Sequence, residues 1–297
     1  MTVINVAHNK DTVALVADSQ LSSFIRKSMN GDKIYFDNFP GMISGVTGNS
    51  IFFIDEAIGK IEFPPEPPLD PGTLSGAIHY RLRDLKNQKI DSDLISAYNL
   101  TIEDLVRGQK KDDKIDETLL KNLQQELENK NGRWKQYLDN SVTTIGFDGK
   151  NPEIYYADPF TRDKISLNFY SSGSGSDLAS QSLQNFYETI KDPNSLKTTK
   201  MVKELVRAKI RSEKNIGVGG TSNIAYSKRD SKPVILGKNE SVLFEEIIKG
   251  EENGNIGIRA SNKSLDDLIN GATFYEVEPR VIGDNRELDL HLRGYRV

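Results

Sequence analysis

Thr2 is the residue of this chain whose type and position suggest the most specific chemistry. If Met1 is removed, which the small side chain at position 2 favours, Thr2 carries both a hydroxyl nucleophile and a free α-amine. A threonine hydroxyl needs a base to take its proton, and the α-amine of the same residue can be that base. The ordinary pKa of this amine is about 7.7 to 8.0, and a nearby ammonium group lowers it. Alternatively, Thr2 is an ordinary residue at the start of a strand.

Two charged residues could act on Thr2. Asp18 ends the second arm of a predicted hairpin, so its carboxylate can return to the level of Thr2, and Lys33 begins the next predicted strand pair. The Lys33 ammonium group would lower the pKa of the Thr2 amine and stabilise its alkoxide, while Asp18 would hold the lysine in position. The competing interpretation of Asp18 and Lys33 is a surface ion pair.

The composition removes most other catalytic groups. The 297 residues include no Cys and three scattered His: His8, His79 and His291. This excludes a thiolate nucleophile, a disulfide scaffold and cysteine-based zinc or iron–sulfur sites. The spacing of the histidines argues against a histidine metal site, so we expect no metal and no cofactor. Hydroxyls, amines and carboxylates remain as the candidate catalytic groups of this chain.

Charge and hydropathy limit the expected partners. The formal charge is −4 without a stripe of Lys and Arg, so nucleic acid is not an expected partner. No stretch approaches the roughly 18 apolar residues of a membrane span, and the first residues lack the order of a signal peptide. We therefore expect a cytoplasmic protein with no membrane partner.

The first sixty residues are predicted to form the β unit that positions these side chains. Thr2–Ala7 and Thr12–Ala17 are apolar, β-branched runs separated by a turn, which predicts a hairpin. Val13–Ala17 is apolar at every position, so both of its faces are expected to be buried. Lys33–Phe36 and Gly41–Val46 predict a second strand pair.

Helices are predicted on either side of a proline-rich connector. Asn49 is a candidate N-cap of a helix that ends near Ile61, and another helix is expected at Leu74–Lys86. Residues 87–140 are highly charged with leucines at helical spacing, which predicts an exposed helical insertion containing Trp134. This insertion is either a partner surface or a solvated helical hairpin.

A second β unit with its own helices is predicted from residue 141 onwards. The expected strands are Val142–Phe147, Glu153–Ala157, Ile165–Tyr170, Ser222–Ser227 and Pro233–Leu236. The expected helices are Leu178–Ile190, Thr198–Lys214 and Ser241–Lys249. Residues 251–297 predict a small α/β C-terminal extension, with a helix at Ser264–Asn270 and strands at Thr273–Val277 and Leu288–Leu292.

This order of elements predicts an α+β fold in which two antiparallel sheets pack face to face with helices outside, a four-layer αββα sandwich. The alternative is a two-layer α+β domain, but strands buried on both faces favour the sandwich. The sandwich domain is expected to span residues 2–250, including the insertion at about 87–140, followed by the extension at 251–297.

Five segments together resemble the β-subunit pattern of proteasomes, which are N-terminal-nucleophile (Ntn) hydrolases with the αββα fold. The segments are Thr2-Val3-Ile4-Asn5-Val6, Val13-Ala14-Leu15-Val16-Ala17-Asp18-Ser19, Asn30-Gly31-Asp32-Lys33-Ile34, Gly41-Met42-Ile43-Ser44-Gly45-Val46-Thr47-Gly48 and Ser172-Gly173-Ser174-Gly175-Ser176. The resemblance covers about residues 2–62 and 141–249. Each motif alone is unspecific, whereas five in this order are more informative.

The resemblance implies a role for each matching residue. Thr2 is the nucleophile and its own amine the base, with Lys33 and Asp18 as the adjacent charge pair. Gly45 would donate its backbone N–H to the oxyanion. Ser174 would hydrogen-bond the Thr2 amine and transfer protons. Apart from the resemblance, the Gly-Ser run around Ser174 is equally typical of a flexible turn before a helix.

A substrate pocket is also implied beside Gly45. Ile43 and Thr47 alternate with Gly45 and therefore share its face of the strand. The resemblance implies that both line the pocket for the side chain before the scissile bond, which would favour an apolar side chain there.

The chain also departs from the family pattern. The family has an Asp shortly before a Gly-Gly pair, where this chain offers Asn215 or Glu213 as the orienting residue before Gly219-Gly220. The insertion and the C-terminal extension are additional to the family pattern. The resemblance implies a homo-oligomer, and these additions could alter the usual stacking of rings.

Three functions follow from these observations. The first is a threonine amidohydrolase, a peptidase that forms an acyl-enzyme with a peptide or protein substrate and resolves it with water. The second is a transpeptidase or protein ligase similar to the proteasome-like connectases, which would pass the acyl group to an amine. The third is a structural or interaction subunit with the fold but without activity.

Overall fold

The structure is a computed structural model that describes residues 2–19, 21–22, 27–28, 33–35, 40–48, 51–59, 61, 70–110, 113–128, 139–214 and 218–282. Four sequence predictions lie outside these ranges: the Asn49 cap, Trp134, Asn215 and the strand at Leu288–Leu292. Among the described residues, no helix is both long enough and apolar enough to cross a membrane.

Strands and helices occur in successive blocks along the chain. The strands are β1 (Val3–His8), β2 (Thr12–Asp18), β3 (Leu21–Ser22), β4 (Lys27–Ser28), β5 (Ile34–Tyr35), β6 (Met42–Gly48), β7 (Gln109–Lys110), β8 (Asp113–Lys114), β9 (Asn140–Asp148), β10 (Asn151–Ala157), β11 (Arg162–Ile165), β12 (Phe169–Gly173), β13 (Ser222–Lys228) and β14 (Val234–Ile235). The helices are α1 (Ile51–Gly59), α2 (Pro71–Ile90), α3 (Ile102–Arg107), α4 (Glu117–Glu128), α5 (Ser176–Tyr187), α6 (Thr198–Ser212), α7 (Lys238–Glu252), α8 (Ile258–Ile269) and α9 (Phe274–Ile282).

Two five-stranded antiparallel sheets contain most of these strands. Sheet I has the strand order β12-β1-β2-β13-β14, and sheet II has the order β11-β10-β9-β6-β5. Two short ribbons pair β3 with β4 and β7 with β8. The chain therefore has a mixed α+β fold with two antiparallel sheets, as the sequence predicts.

The strands of sheet I contribute to two different cores. In β2, Ala14 and Val16 pack among residues of α5, α6 and α7, whereas Val13, Leu15 and Ala17 pack against residues of sheet II. Because successive side chains point to opposite faces of a strand and both faces are covered here, the positions from Val13 to Ala17 are all apolar. The prediction that both faces of Val13–Ala17 are buried is confirmed.

Helices α1 and α2 cover the other face of sheet II. Met42 and Val46 of β6 pack there with Phe53, Leu74 and Ile78. Helix α2 is longer at both ends than predicted. Its N-cap, Asp70, accepts a hydrogen bond from the Thr73 backbone nitrogen, and a proline occupies the first turn.

The predicted single strand at Ile165–Tyr170 is wrong. Arg162–Ile165 pairs with β10 in sheet II, while Phe169–Gly173 pairs with β1 in sheet I. The residues between them carry the chain from one sheet to the other. The local pattern could not show this change, because Phe169–Gly173 pairs with β1, which is distant in sequence and belongs to the other sheet.

The predicted strand at Thr273–Val277 is also wrong, because most of this segment lies in α9. Its aromatic and β-branched residues favour a strand, but Phe274 and Val277 lie on one helical face and are 1% and 0% exposed. Thr273 donates a hydrogen bond from its backbone nitrogen to the Glu276 side chain, which is half of a capping box. The spacing of Thr273 and Glu276 was the missed helix signal.

Helices α8 and α9 of the C-terminal extension share a core with sheet I. Their buried residues Leu265, Leu268, Phe274 and Val277 belong to the same cluster as residues of α6 and α7. The described part of the extension is thus helical and continuous with the body of the protein.

The insertion has a small apolar cluster of its own. After α2, one π-helical turn at Asp91–Ile95 leads to α3, the β7-β8 ribbon and α4. Ile95, Leu100, Ile115 and Leu123 are buried together there. The prediction of a helical insertion is confirmed for its described residues, and the ribbon is an addition to it.

Candidate active site

Thr2 directly precedes β1 and contacts the loop between β12 and α5. Its backbone nitrogen donates a hydrogen bond to Ser174 Oγ at 3.1 Å, and Ser174 Oγ donates to the Thr2 carbonyl oxygen at 3.3 Å. Thr2 is 6% exposed. Ser174 therefore contacts Thr2 on both sides of its backbone, although the two residues are far apart in the chain.

The glycines around Ser174 permit this close approach. Gly173 has φ +93°, and a Cβ atom there would lie 2.1 Å from the Thr2 carbonyl oxygen. A Cβ atom at Gly175 would lie 3.1 Å from Val3 Cβ and 2.9 Å from Val218 Cγ2. Only glycine fits both positions, because the loop packs tightly against Thr2 and its neighbours. The Gly-Ser run forms a turn directly before α5, and this turn packs closely against Thr2.

Asp18 and Lys33 form a buried ion pair next to Thr2. Lys33 Nζ lies 2.8 Å from Asp18 Oδ1, and the two side chains are 2% and 0% exposed. The same Asp18 oxygen accepts a hydrogen bond from the Val3 backbone nitrogen at 2.9 Å. This second bond fixes the carboxylate to the residue that follows Thr2. The alternative of a surface ion pair is excluded by the burial of both groups.

The second oxygen of this carboxylate is unusual. Asp18 Oδ2 is buried without a hydrogen-bond partner among the described residues. Leaving a buried acceptor unpaired typically costs about 1–3 kcal/mol of stability.

Burial and charge act in opposite directions on Lys33. Burial lowers the pKa of the Lys33 ammonium group, the Asp18 carboxylate opposes this effect, and the positive charge of Lys209 adds to the lowering. The net result is a pKa below the usual lysine value. A buried ammonium group with a lowered pKa is suited to stabilising a nearby anion, because the charge acts at low effective dielectric.

Gly45 lies at the contact between the two sheets. A Cβ atom there would lie 2.8 Å from both Ile4 Cγ2 and Leu15 Cδ1 of sheet I. Gly45 is also paired with Ile34, the residue after Lys33. Its lack of a side chain is explained by packing between the sheets, and its proposed role as an oxyanion donor stays a prediction.

The two residues predicted to line a substrate pocket differ in their surroundings. Ile43 is 0% exposed and packs in the core between the sheets, so the structure places it away from any surface that a ligand could contact. Thr47 donates or accepts a hydrogen bond with Ser141 Oγ at 2.6 Å. The Thr47 methyl carbon would lie 3.2 Å from a Cβ atom at Gly173, so Thr47 is close to the loop that contains Ser174.

Of the two candidate orienting residues, only Glu213 is described. Its carboxylate accepts a hydrogen bond from Lys209 Nζ at 2.5 Å. Glu213 therefore forms an ion pair with the buried Lys209. Its role in orienting Thr2 stays a prediction.

Sequence reasoning missed Lys209. It follows Leu205 by one helical turn on the apolar face of α6 and is 0% exposed. A lysine in an otherwise apolar helical stripe was the available signal.

Thr2, Asp18, Lys33 and Ser174 thus come together from four segments of the chain. They provide a hydroxyl, a buried cation with its counterion, and a second hydroxyl at the Thr2 nitrogen. Within the described ranges, no group of three or more His, Asp or Glu is arranged to hold a metal ion.

The sequence was compared with known proteins. It matches no family model, and no curated protein matches it significantly.

Proposed function

We propose that this protein is an N-terminal threonine amidohydrolase, a peptidase of the Ntn type that acts on a peptide or protein substrate once Met1 has been removed. The observation that carries the proposal is the buried pair of Lys33 and Asp18, whose shared oxygen is 2.8 Å from Lys33 Nζ and 2.9 Å from the Val3 nitrogen. A buried charge pair is costly unless its interactions offset desolvation, so its location beside Thr2 supports a functional role.

The reaction has two steps. Thr2 Oγ1 attacks the carbonyl carbon of the scissile amide while its proton passes to the Thr2 amine, and a tetrahedral oxyanion forms. Collapse of this intermediate breaks the C–N bond, and the amine of the leaving peptide takes the proton. Water then attacks the resulting ester, which releases the acid and restores Thr2.

Each neighbouring group has a defined part in this reaction. The Lys33 ammonium group lowers the pKa of the Thr2 amine and stabilises the developing alkoxide, and Asp18 keeps it in position. Ser174, which contacts the Thr2 nitrogen, moves protons to and from the amine. The Gly45 backbone N–H stabilises the oxyanion.

The arrangement of sheets and helices supports the αββα sandwich as part of this proposal. Sheets I and II share an apolar cluster, α5 to α7 pack on the far side of sheet I, and α1 and α2 pack on the far side of sheet II. This is the order of layers that the resemblance to proteasome β-subunits implies.

The test is covalent labelling followed by intact-mass measurement. A peptide epoxyketone or β-lactone is expected to add once to a chain that begins at Thr2. Thr2→Ala is expected to give no adduct, and Thr2→Ser, which keeps the hydroxyl and amine, is expected to retain labelling. Absence of an adduct on a folded chain shown to begin at Thr2 would contradict the proposal and favour a structural subunit.

A further inference from the structure

Lys209 is a buried cation for which the proposed reaction has no role. All three hydrogens of its ammonium group have acceptors: Glu213 Oε1 at 2.5 Å, Glu245 Oε2 at 3.1 Å and the Gly220 carbonyl oxygen. Such a fully satisfied group is rigid. Burying a charge is costly even when the charge is paired, so a buried lysine that the proposed reaction does not use calls for an explanation.

Glu245 connects Lys209 to the candidate active site. Its Oε2 atom accepts hydrogen bonds from the Ser222 backbone nitrogen at 3.0 Å and from Ser222 Oγ at 2.7 Å. Ser222 lies directly opposite Asp18 in the pairing of β13 with β2. Beside them, the Ser19 backbone nitrogen donates to the Thr221 carbonyl oxygen at 2.9 Å. Glu245 thus fixes the start of β13 at the point where β2 ends in Asp18.

The charges of this network also reach Lys33. The positive charge of Lys209 adds to burial in lowering the pKa of Lys33, against the effect of Asp18. Burial alone would raise the pKa of Glu245, but Lys209 and Lys249 outweigh burial and hold it below the usual value. Glu245 therefore remains ionised near neutral pH and keeps Lys209 in place. The charged groups around the Lys33–Asp18 pair in this direction are Lys209, Glu213, Glu245 and Lys249.

We propose that Lys209 and Glu245 are positioning residues of the Thr2 site, which hold Ser222 against Asp18 and act through Asp18 and Lys33 on the nucleophile. The proposal rests on the proposed function of Thr2. Lys209 acts in two ways. Its hydrogen bonds to Gly220 and Glu245 fix the Gly220–Ser222 segment, and its positive charge makes protonation of Lys33 less favourable.

A matched control is available on the same helix. Lys203 of α6 is 6% exposed and pairs with Glu251 at 2.6 Å and with Asn262 at 2.9 Å. These contacts lie with α7 and α8, away from Ser222 and Asp18. Lys203→Met therefore removes a comparable buried ion pair without touching the proposed network.

The first test is the pH dependence of Thr2 labelling by the epoxyketone. Lys209→Met is expected to slow labelling by about tenfold to a hundredfold, which is the effect of small displacements of reacting groups. It is also expected to move the alkaline limb of the pH profile, where Lys33 loses its proton, to higher pH. Lys209→Arg keeps the charge and should keep the position of that limb. Lys203→Met should leave rate and profile unchanged. A Lys209→Met rate and profile equal to those of Lys203→Met would overturn the proposal.

The second test does not depend on catalysis. The titration of Lys33 is followed by NMR in protein labelled with ¹³C-lysine, its signal being assigned by its loss in Lys33→Arg. Lys33 should titrate at higher pH in Lys209→Met than in wild type, and at the wild-type pH in Lys203→Met. An unchanged Lys33 titration in Lys209→Met would refute the proposal. If Lys33 titrates at higher pH in Lys209→Met but the epoxyketone does not label Thr2 of the wild type, the result contradicts only the proposed function.

A paired variant covers the case in which Lys209→Met does not fold. Lys209→Met/Glu245→Gln removes both charges and keeps a hydrogen-bonding side chain at Ser222, which is less costly than leaving one charge unpaired. It should raise the pH at which Lys33 titrates, as Lys209→Met does. Thermal unfolding of every variant is measured alongside.

Discussion

Asp18 carries two hydrogen bonds on a single oxygen, so one side chain links Lys33 to the backbone next to Thr2. The buried position of both charges means that neither can turn to water if the other is lost. At this scale the positions of Thr2, Asp18 and Lys33 relative to the predicted strands suggested that they are neighbours, and the resemblance to proteasome β-subunits implied Ser174 as well. It could not predict that Asp18 also bonds Val3, because backbone hydrogen bonds of this kind leave no mark in the residue pattern.

The contribution of this pair can be measured by removing one charge. Asp18→Asn keeps the shape of the side chain but leaves Lys33 buried without its counterion. The free energy of unfolding in urea is expected to fall by about 3–5 kcal/mol. Asp11→Asn is the control, because Asp11 forms an ion pair with Lys10 in which the side chains are 67% and 70% exposed, and it should change stability by less than about 1 kcal/mol. Equal effects of the two substitutions would show that the Asp18 charge is not buried as described.

His8 at the other end of β1 gives the stability of the protein a pH dependence. Burial lowers the pKa of His8 to about 4, against a partly opposing backbone hydrogen bond. The unfolded chain, with a histidine pKa of about 6.5, binds a proton at a higher pH than the folded chain does. The neutral His8 ring therefore makes its full contribution to the free energy of unfolding above a pH of about 6.5. This contribution is lost as the pH falls towards about 4.

The substitution His8→Gln isolates this effect. Between pH 7.5 and 5.0, the wild type is expected to lose roughly 1–2 kcal/mol more unfolding free energy than the variant. Urea unfolding at the two pH values measures the difference. Parallel losses in both proteins would contradict a neutral, half-buried His8 in the folded protein.

Strand β6 packs on both of its faces. Its side chains alternate between the α1–α2 side and the contact with sheet I, and Gly45 lies on the side that contacts sheet I. The sequence predicted the strand and the shared face of Ile43, Gly45 and Thr47. It could not predict which surface covers that face, because this depends on the packing of a distant sheet. For this reason Ile43 was assigned to a pocket and is found in the core.

A methyl group at Gly45 tests this packing. Gly45→Ala would bring the new carbon within 2.8 Å of Ile4 and Leu15 side-chain atoms, and such overpacking typically costs about 1–3 kcal/mol. Gly59→Ala is the control, since a Cβ atom there has no neighbour within 4 Å. Thermal or urea unfolding compares the two variants. A neutral Gly45→Ala would mean that the sheets are farther apart than described.

In the whole molecule, one cluster joins sheet I to the helices of the C-terminal extension. The sequence predicted the two sheets, most helices and the insertion, because hydrophobic periodicity is a local property. It did not predict that the extension completes the sheet I core, since the aromatic and β-branched residues around Phe274 favour a strand, and the contacts of α9 lie with α7 and α8. Self-association stays a prediction from the family resemblance.

Neighbouring aromatic residues of α9 test the role of the extension. Phe274 is 1% exposed, whereas Tyr275 is 69% exposed. Phe274→Ala should lower the unfolding free energy by about 3–5 kcal/mol, and Tyr275→Ala should change it by less than about 0.5 kcal/mol. A single cooperative transition is expected in both variants. Loss of α9 structure without destabilisation of the rest would show that the extension folds separately.

The central claim is that Thr2 is the nucleophile, and the most direct measurement is the site of covalent labelling. Wild-type protein shown to begin at Thr2 is treated with the peptide epoxyketone, digested and mapped by tandem mass spectrometry. We predict one adduct per chain, located on Thr2. An adduct confined to another residue, or no adduct on the folded chain, would contradict the account.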